Sequence, residues 1–236
     1  MIGQRSPILP PFPSQGLVLW LRSDIGVEFA NGAISGWLDL SGNNNHAIAA
    51  AATAPTYTAS DSNWNNLPSL TFAAGQQMTI ASSASLQVTG PLTLVSVVRS
   101  TNTSGFNTLI SKGPSNQEYD HYWKSTVIAG LRHSASDMDS ASVPAQNAAT
   151  IVVWTTDASA QQQIYLNGVA QVQTVTAFTA GLSTSNPVMI GERSDAGTQL
   201  IGSAVEFMIF NAFQGGCQAL HQYLGDRYNI SVPVTS

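Results

Sequence analysis

From Leu17 onward the hydrophobic residues come in short runs rich in Val, Ile, Thr and aromatic side chains, punctuated by Gly, Asn, Ser and Pro. That spacing predicts β-strands rather than helices. The clearest runs are Leu17–Arg22, Ser69–Phe72, Gln77–Ala81, Leu92–Arg99, Thr108–Ser111, Tyr119–Lys124, Val127–Arg132, Thr150–Thr155, Gln163–Leu166, Val188–Gly191 and Ala204–Phe210. These are too many strands for one open twisted sheet, so the expected fold is all-β: a two-sheet antiparallel sandwich crossed as a jelly roll. Asn167-Gly168 separates two alternating runs and predicts a tight hairpin with a primed turn. Near the C-terminus Cys217, Leu220, Leu224 and Tyr228 recur at spacings of three and four after Gly215-Gly216, which predicts one amphipathic helix packed on the sandwich.

The first fifteen residues read differently. Pro7, Pro10, Pro11 and Pro13 favour an extended arm, with Ile2, Ile8, Leu9 and Phe12 as its apolar anchors. The expected organisation is therefore an arm over residues 1–15 and a single sandwich domain over 16–236. All-β sandwiches reach this size as one unit.

Composition narrows the partners. Only 9% of the residues are charged, the net charge is -5, and no run of Lys or Arg could follow a phosphate backbone, so nucleic acid is not an expected partner. No apolar stretch has the length of a membrane span, and residues 1–15 lack the apolar stretch and cleavage site of a signal peptide. The single cysteine, Cys217, excludes an intrachain disulfide.

Candidate chemistry is sparse. Alternation in Tyr119–Lys124 places Tyr119, His121 and Trp123 on one strand face; with Arg132 on the next strand they suit a sugar or a protein partner, although packing in the core is the stronger account. Trp64, in the Asn-rich loop 63–66, is the expected exposed aromatic. Trp20 and Trp37 are expected in the core. Asp137, Asp139 and Asp195 are weak candidates for a cation, with solvated turns the better account. His46, His121, His133 and His221 show no zinc-ligand spacing. Glu206, flanked by Val205 and Phe207, should face outward or pair with a base such as Arg22 or Arg193.

Several segments, in order over about residues 17–231, resemble the laminin-G-like group of the concanavalin A-like lectin and glucanase superfamily. They are Gly16–Leu21; Trp37-Leu38-Asp39-Leu40-Ser41-Gly42-Asn43-Asn44-Asn45-His46-Ala47, similar to that family's W-x-D-x-S-G-N-x-N-x-A turn; Leu109–Gly113; Ile164-Tyr165-Leu166-Asn167-Gly168; Val188–Gly191; Gly202–Asn211; and Leu220–Tyr228. The resemblance implies a jelly roll. It also implies a departure: many relatives carry acidic residues where this chain reads Phe72-Ala73-Ala74-Gly75-Gln76-Gln77-Met78, so no calcium or other cofactor is expected. Glu118-Tyr119-Asp120 is similar to the E-x-D-x-x-E strand of related glucanases, but the third acid is missing and a structural role is expected.

Fold alone does not supply function. The expected reading is a non-enzymatic structural or binding protein, foremost a bacteriophage virion accessory protein on the capsid or tail. It would be made in the host cytoplasm, form homo-oligomers and meet other virion proteins through the arm. This rests on a chain that starts at Met1 with no signal peptide, and on analogy. The alternatives are a carbohydrate-binding lectin-like module and a glycan hydrolase with an unrecognised site.

Overall fold

The computed structural model describes residues 10–102, 105–114, 118–124, 128–133, 136–138, 140, 144–159, 161–171, 185–195, 198–214 and 216–234; for 124, 128–133 and 136–138 it describes the backbone alone. In chain order the strands are β1 Leu17–Arg22, β2 Val27–Ala30, β3 Ala33–Trp37, β4 Ala47–Ile48, β5 Thr56–Asp61, β6 Leu67–Phe72, β7 Met78–Ile80, β8 Leu92–Ser100 and β9 Phe106–Lys112. They continue as β10 Tyr119–Lys124, β11 Ile128–His133, β12 Ser136–Met138, β13 Thr150–Thr156, β14 Gln162–Leu166, β15 Val169–Ala170, β16 Val188–Ile190 and β17 Gly202–Phe210, and one helix, α1 Gln218–Tyr228, closes the fold.

Two antiparallel sheets face each other. One has the order β15-β14-β13-β8-β17-β6-β5, with β1 also paired to β17; the other runs β12-β11-β10-β9-β16-β7-β4-β3-β2. The expected sandwich with a C-terminal helix is therefore the fold. Asn167 (φ 48) and Gly168 (φ 80) both occupy the left-handed region, as the primed turn of the β14–β15 hairpin requires.

Two hydrophobic layers hold the molecule together. Between the sheets lie Leu19, Leu21, Leu94, Trp154, Phe207 and Ile209 of the first sheet and Trp37, Met78, Ile80, Val188 and Ile190 of the second. On the other side of the first sheet, Trp20, Val95, Val153, Met208 and Phe210 are covered by Leu220, Leu224 and Tyr228 of α1. The helix thus makes the first sheet double-covered, and β8, β13 and β17 lose the polar alternation of a half-exposed strand because both of their faces are buried.

A β-bulge in β17 decides where its one acid points. Ala204 pairs with Val98 but Glu206 pairs with Val97, so two residues of β17 oppose one of β8. The extra residue breaks the alternation. Val205 joins the layer under the helix, and Glu206 reaches the same side, where it meets Trp20, Tyr223 and Tyr228.

Candidate functional site

The residues singled out from the sequence are placed by this architecture mostly inside. Tyr119 and Trp123 are buried in the core between the sheets, and His121, fully buried, reaches across it with Nδ1 3.3 Å from Ser96 Oγ on β8. The aromatic face of β10 is the core face, as the packing account held. A β-bulge opposite His121 and Tyr122 contributes by turning both Leu109 and Ile110 of β9 into the same core. Burial holds the His121 imidazole down to about 3.

Trp64 is a correction. The Asn-rich loop suggested an exposed ring, yet the side chain is wholly buried beneath α1, donating Nε1–H to Ser203 Oγ at 3.0 Å and meeting the Tyr228 ring edge-on. Asn65 (φ 56) and Asn66 (φ 59), both left-handed, reverse the chain immediately after it and turn the ring inward. The side chains of Arg132 and Asp137 and the whole of Asp139 lie outside the described residues. Ile2, Ile8 and Leu9 of the arm lie outside them too, whereas Phe12 is buried against this chain's own Trp20, Phe210 and Tyr223.

The acidic candidates are tied to bases. Glu118 forms a buried ion pair with Lys112, and Asp120 lies 3.3 Å from the Arg193 guanidinium, whose Nε donates to Asp195 at 2.7 Å. Buried charges persist only when paired in this way, so these acids act as struts across the β9–β10 turn and the loop after β16. Among the described residues no three His, Cys, Asp or Glu side chains gather as metal ligands.

Glu206 finds neither Arg22 nor Arg193 as its direct partner. Trp20 Nε1–H donates to it at 2.6 Å, Tyr228 O–H at 2.7 Å and Tyr223 O–H at 3.2 Å, with the Arg227 guanidinium 4.0 Å away. Burial pushes this carboxyl up against the pull of the Tyr228 and Trp20 hydrogen bonds. Arg22 is instead engaged by Asp24, which also takes Arg227 at 2.6 Å.

Above this network the surface opens into a shallow groove of about 690 Å³ between the loop that follows Trp64, the segment at Pro11 and the outer side of α1. Leu67 and Ala219 supply apolar parts of its lining. Its walls are Asn65, Gln222, Tyr223, Asp226 and Arg227. The sequence carried a signal for α1 but none for this groove, because its walls come from segments far apart in the chain. Each wall is held in place: Asn65 Nδ2 donates to the Arg227 carbonyl at 3.1 Å, and Gln222 Nε2 donates to Asp226 Oδ1 at 2.8 Å one helical turn on. Tyr223 is fixed twice, by its hydroxyl on Glu206 and by Phe12, whose ring centre lies 5.1 Å away. A volume of this size suits a small ligand, and an aromatic ring beside amide and carboxylate groups suits one that is apolar on one face and hydroxylated at its edges.

No family model and no curated relative matches the sequence. Among solved structures the chain is similar to the Trypanosoma rangeli sialidase in complex with sialic acid, with a TM-score of 0.64 and 18% identity over 93% of this chain and 35% of that one. It is also similar to the binding domain of botulinum neurotoxin DC in complex with rat synaptotagmin II, with a TM-score of 0.61 and 13% identity over 89% and 52%. A third is the binding domain of Paraclostridial mosquitocidal protein 1, with a TM-score of 0.58 and 12% identity over 89% and 52%. The chain thus spans about a third of the sialidase and about half of each toxin binding domain. The expected exclusion of an enzyme is overturned by the sialidase matches; it rested on the missing third acid of a glucanase strand and on histidines without zinc-ligand spacing, which bear on those arrangements alone. The bacteriophage reading and the laminin-G-like subgroup receive no support from these likenesses. What they show is the fold alone, a two-sheet β-sandwich, which is consistent with a jelly roll.

Proposed function

We propose that this chain is a carbohydrate-binding, lectin-like module. The observation that carries the reading is the groove beside α1, whose lining brings the fixed ring of Tyr223 together with Gln222, Asp226 and Asn65 and the apolar Leu67 and Ala219. A pyranose ring has the matching chemistry, with C–H groups on one face for an aromatic ring and hydroxyls at its rim for amides and carboxylates. The likeness to a sialidase holding sialic acid and to toxin binding domains supports the same class. The test is binding of the whole chain to an array of immobilised oligosaccharides. Retention on a related subset of sugars, lost when Asn65 and Gln222 are both changed to Ala, is the expected result. Absence of binding to every sugar sinks the reading.

A second reading, a glycan hydrolase, is favoured by the sialidase likeness alone. Incubating the same chain with the sugars on the array and measuring released sugar decides it, and no release over background removes it.

A further inference from the structure

Resting on the carbohydrate-binding reading, we infer that the groove beside α1 selects an uncharged sugar over an acidic one, because the guanidinium that lines it is already paired with a carboxylate while the Asp226 carboxylate beside it meets no base among the described residues. The Arg227 guanidinium lines the groove and is the group that would ordinarily take a sugar carboxylate or sulfate. Its charge is already engaged within the protein. Its Nη2 lies 2.6 Å from Asp24, its Nε donates to Tyr228 O–H at 3.3 Å, and its plane sits over the Tyr228 ring with the central carbon 5.5 Å from the ring centre. Asp24 in turn holds Arg22 at 2.9 Å. Of the two charged residues in the groove's lining, Arg227 is thus paired with Asp24, whereas Asp226 faces no base among the described residues.

What remains open to a ligand is acceptor-rich. Gln222 donates one of its two amide N–H groups to Asp226 Oδ1, which leaves Gln222 Oε1 and Asp226 Oδ2 without a hydrogen-bond partner among the described residues; Asp226 is exposed and Gln222 half-buried. Tyr223 spends its hydroxyl on Glu206 at the base of the groove, so its ring carbons rather than its oxygen are offered outward. Sugar hydroxyls can donate to the two free oxygens while a sugar face lies on the ring. A carboxylate or sulfate would meet Asp226 across the same space and find no unpaired cation among the described lining residues, and like-charge juxtaposition disfavours it.

The experiment uses the whole chain and an array in which each neutral oligosaccharide stands beside its sialylated, sulfated or uronate counterpart, followed by titration calorimetry on the pairs that bind. The neutral member is expected to bind at least tenfold more tightly than its acidic counterpart. Gln222→Ala is expected to weaken neutral binding about tenfold with the melting temperature unchanged, since this side chain is not part of the buried layer. Asp226→Lys is expected to narrow or invert the preference, admitting the acidic sugar. Equal or tighter binding of the acidic members by the unaltered chain overturns the inference and leaves the carbohydrate-binding reading standing. So does sugar binding that neither substitution alters, because the site is then elsewhere. Absence of binding to every sugar on the array overturns the carbohydrate-binding reading itself.

Discussion

Tyr228 donates its hydroxyl to the buried Glu206 carboxyl at 2.7 Å, from a ring that also packs on Trp64. Tyr228→Phe keeps the ring and removes that bond, so a loss of about 1–3 kcal/mol in urea unfolding is expected. A loss under about 0.5 kcal/mol would show that packing alone seats the helix. At this scale Trp20 and Trp37 were readable as core because each falls in a segment that resembles the lectin and glucanase superfamily. Trp64 was not. Its surroundings are polar in sequence, and what buries it is a helix and a strand brought over it by the fold, with Ser203, 139 residues away, as hydrogen-bond acceptor. Glu206 was equally unreadable, since its aromatic donors come from β1 and from two positions on α1.

The β14–β15 hairpin and α1 meet at Gly168, where an added Cβ would lie 2.7 Å from Val232 Cγ1 in the segment after the helix. Gly168→Ala therefore carries two separable costs: about 1–2 kcal/mol for a left-handed backbone with a side chain, and a clash. Introducing Gly168→Ala into a Val232→Ala background is expected to recover the clash part only, as read from the unfolding midpoints of the two singles and the double. Equal loss in both backgrounds would show that Val232 does not press on the turn. Leu224, fully buried between α1 and the first sheet, should cost about 2–5 kcal/mol as Leu224→Ala; a change below about 0.5 kcal/mol would mean an undocked helix. Hairpin and helix were both legible, one from Asn167-Gly168 and the other from a three-to-four spacing. β2 and β3 went unread although Asn31 (φ 51) and Gly32 (φ 82) form a turn of the same chemistry between them, because their flanking runs are short and weakly alternating. β5, Thr-Tyr-Thr-Ala-Ser-Asp, went unread because an edge strand with little burial has little hydrophobic signal.

For the whole molecule, acid should weaken the fold in two stages. Burial holds His121 at about 3 and His221 at about 4, so both stay neutral in the folded chain, whereas in the unfolded chain they take up a proton below about 6.5. The unfolded state then binds more protons, and stability falls as pH drops below 6.5, by about 2 kcal/mol per histidine at pH 5. Asp24, held below the usual carboxylate range by Arg22 and Arg227 although burial opposes them, adds its loss only below about pH 4. Urea midpoints at pH 7.5 and 5 test the first stage, and His221→Phe should flatten part of it; identical stability at the two pH values would refute it. The sequence by itself determined the class of fold, most of the strands, the primed hairpin and the terminal helix, because periodicity and turn chemistry are properties of neighbouring residues. Only the tertiary structure decided that the Tyr119, His121 and Trp123 face of β10 is the inner one, that Glu206 points under the helix, and that a groove opens beside α1. Alternation says which residues share a face but not which face is covered, a bulge shifts that alternation without marking the composition, and a groove is assembled from segments that are near one another only after folding.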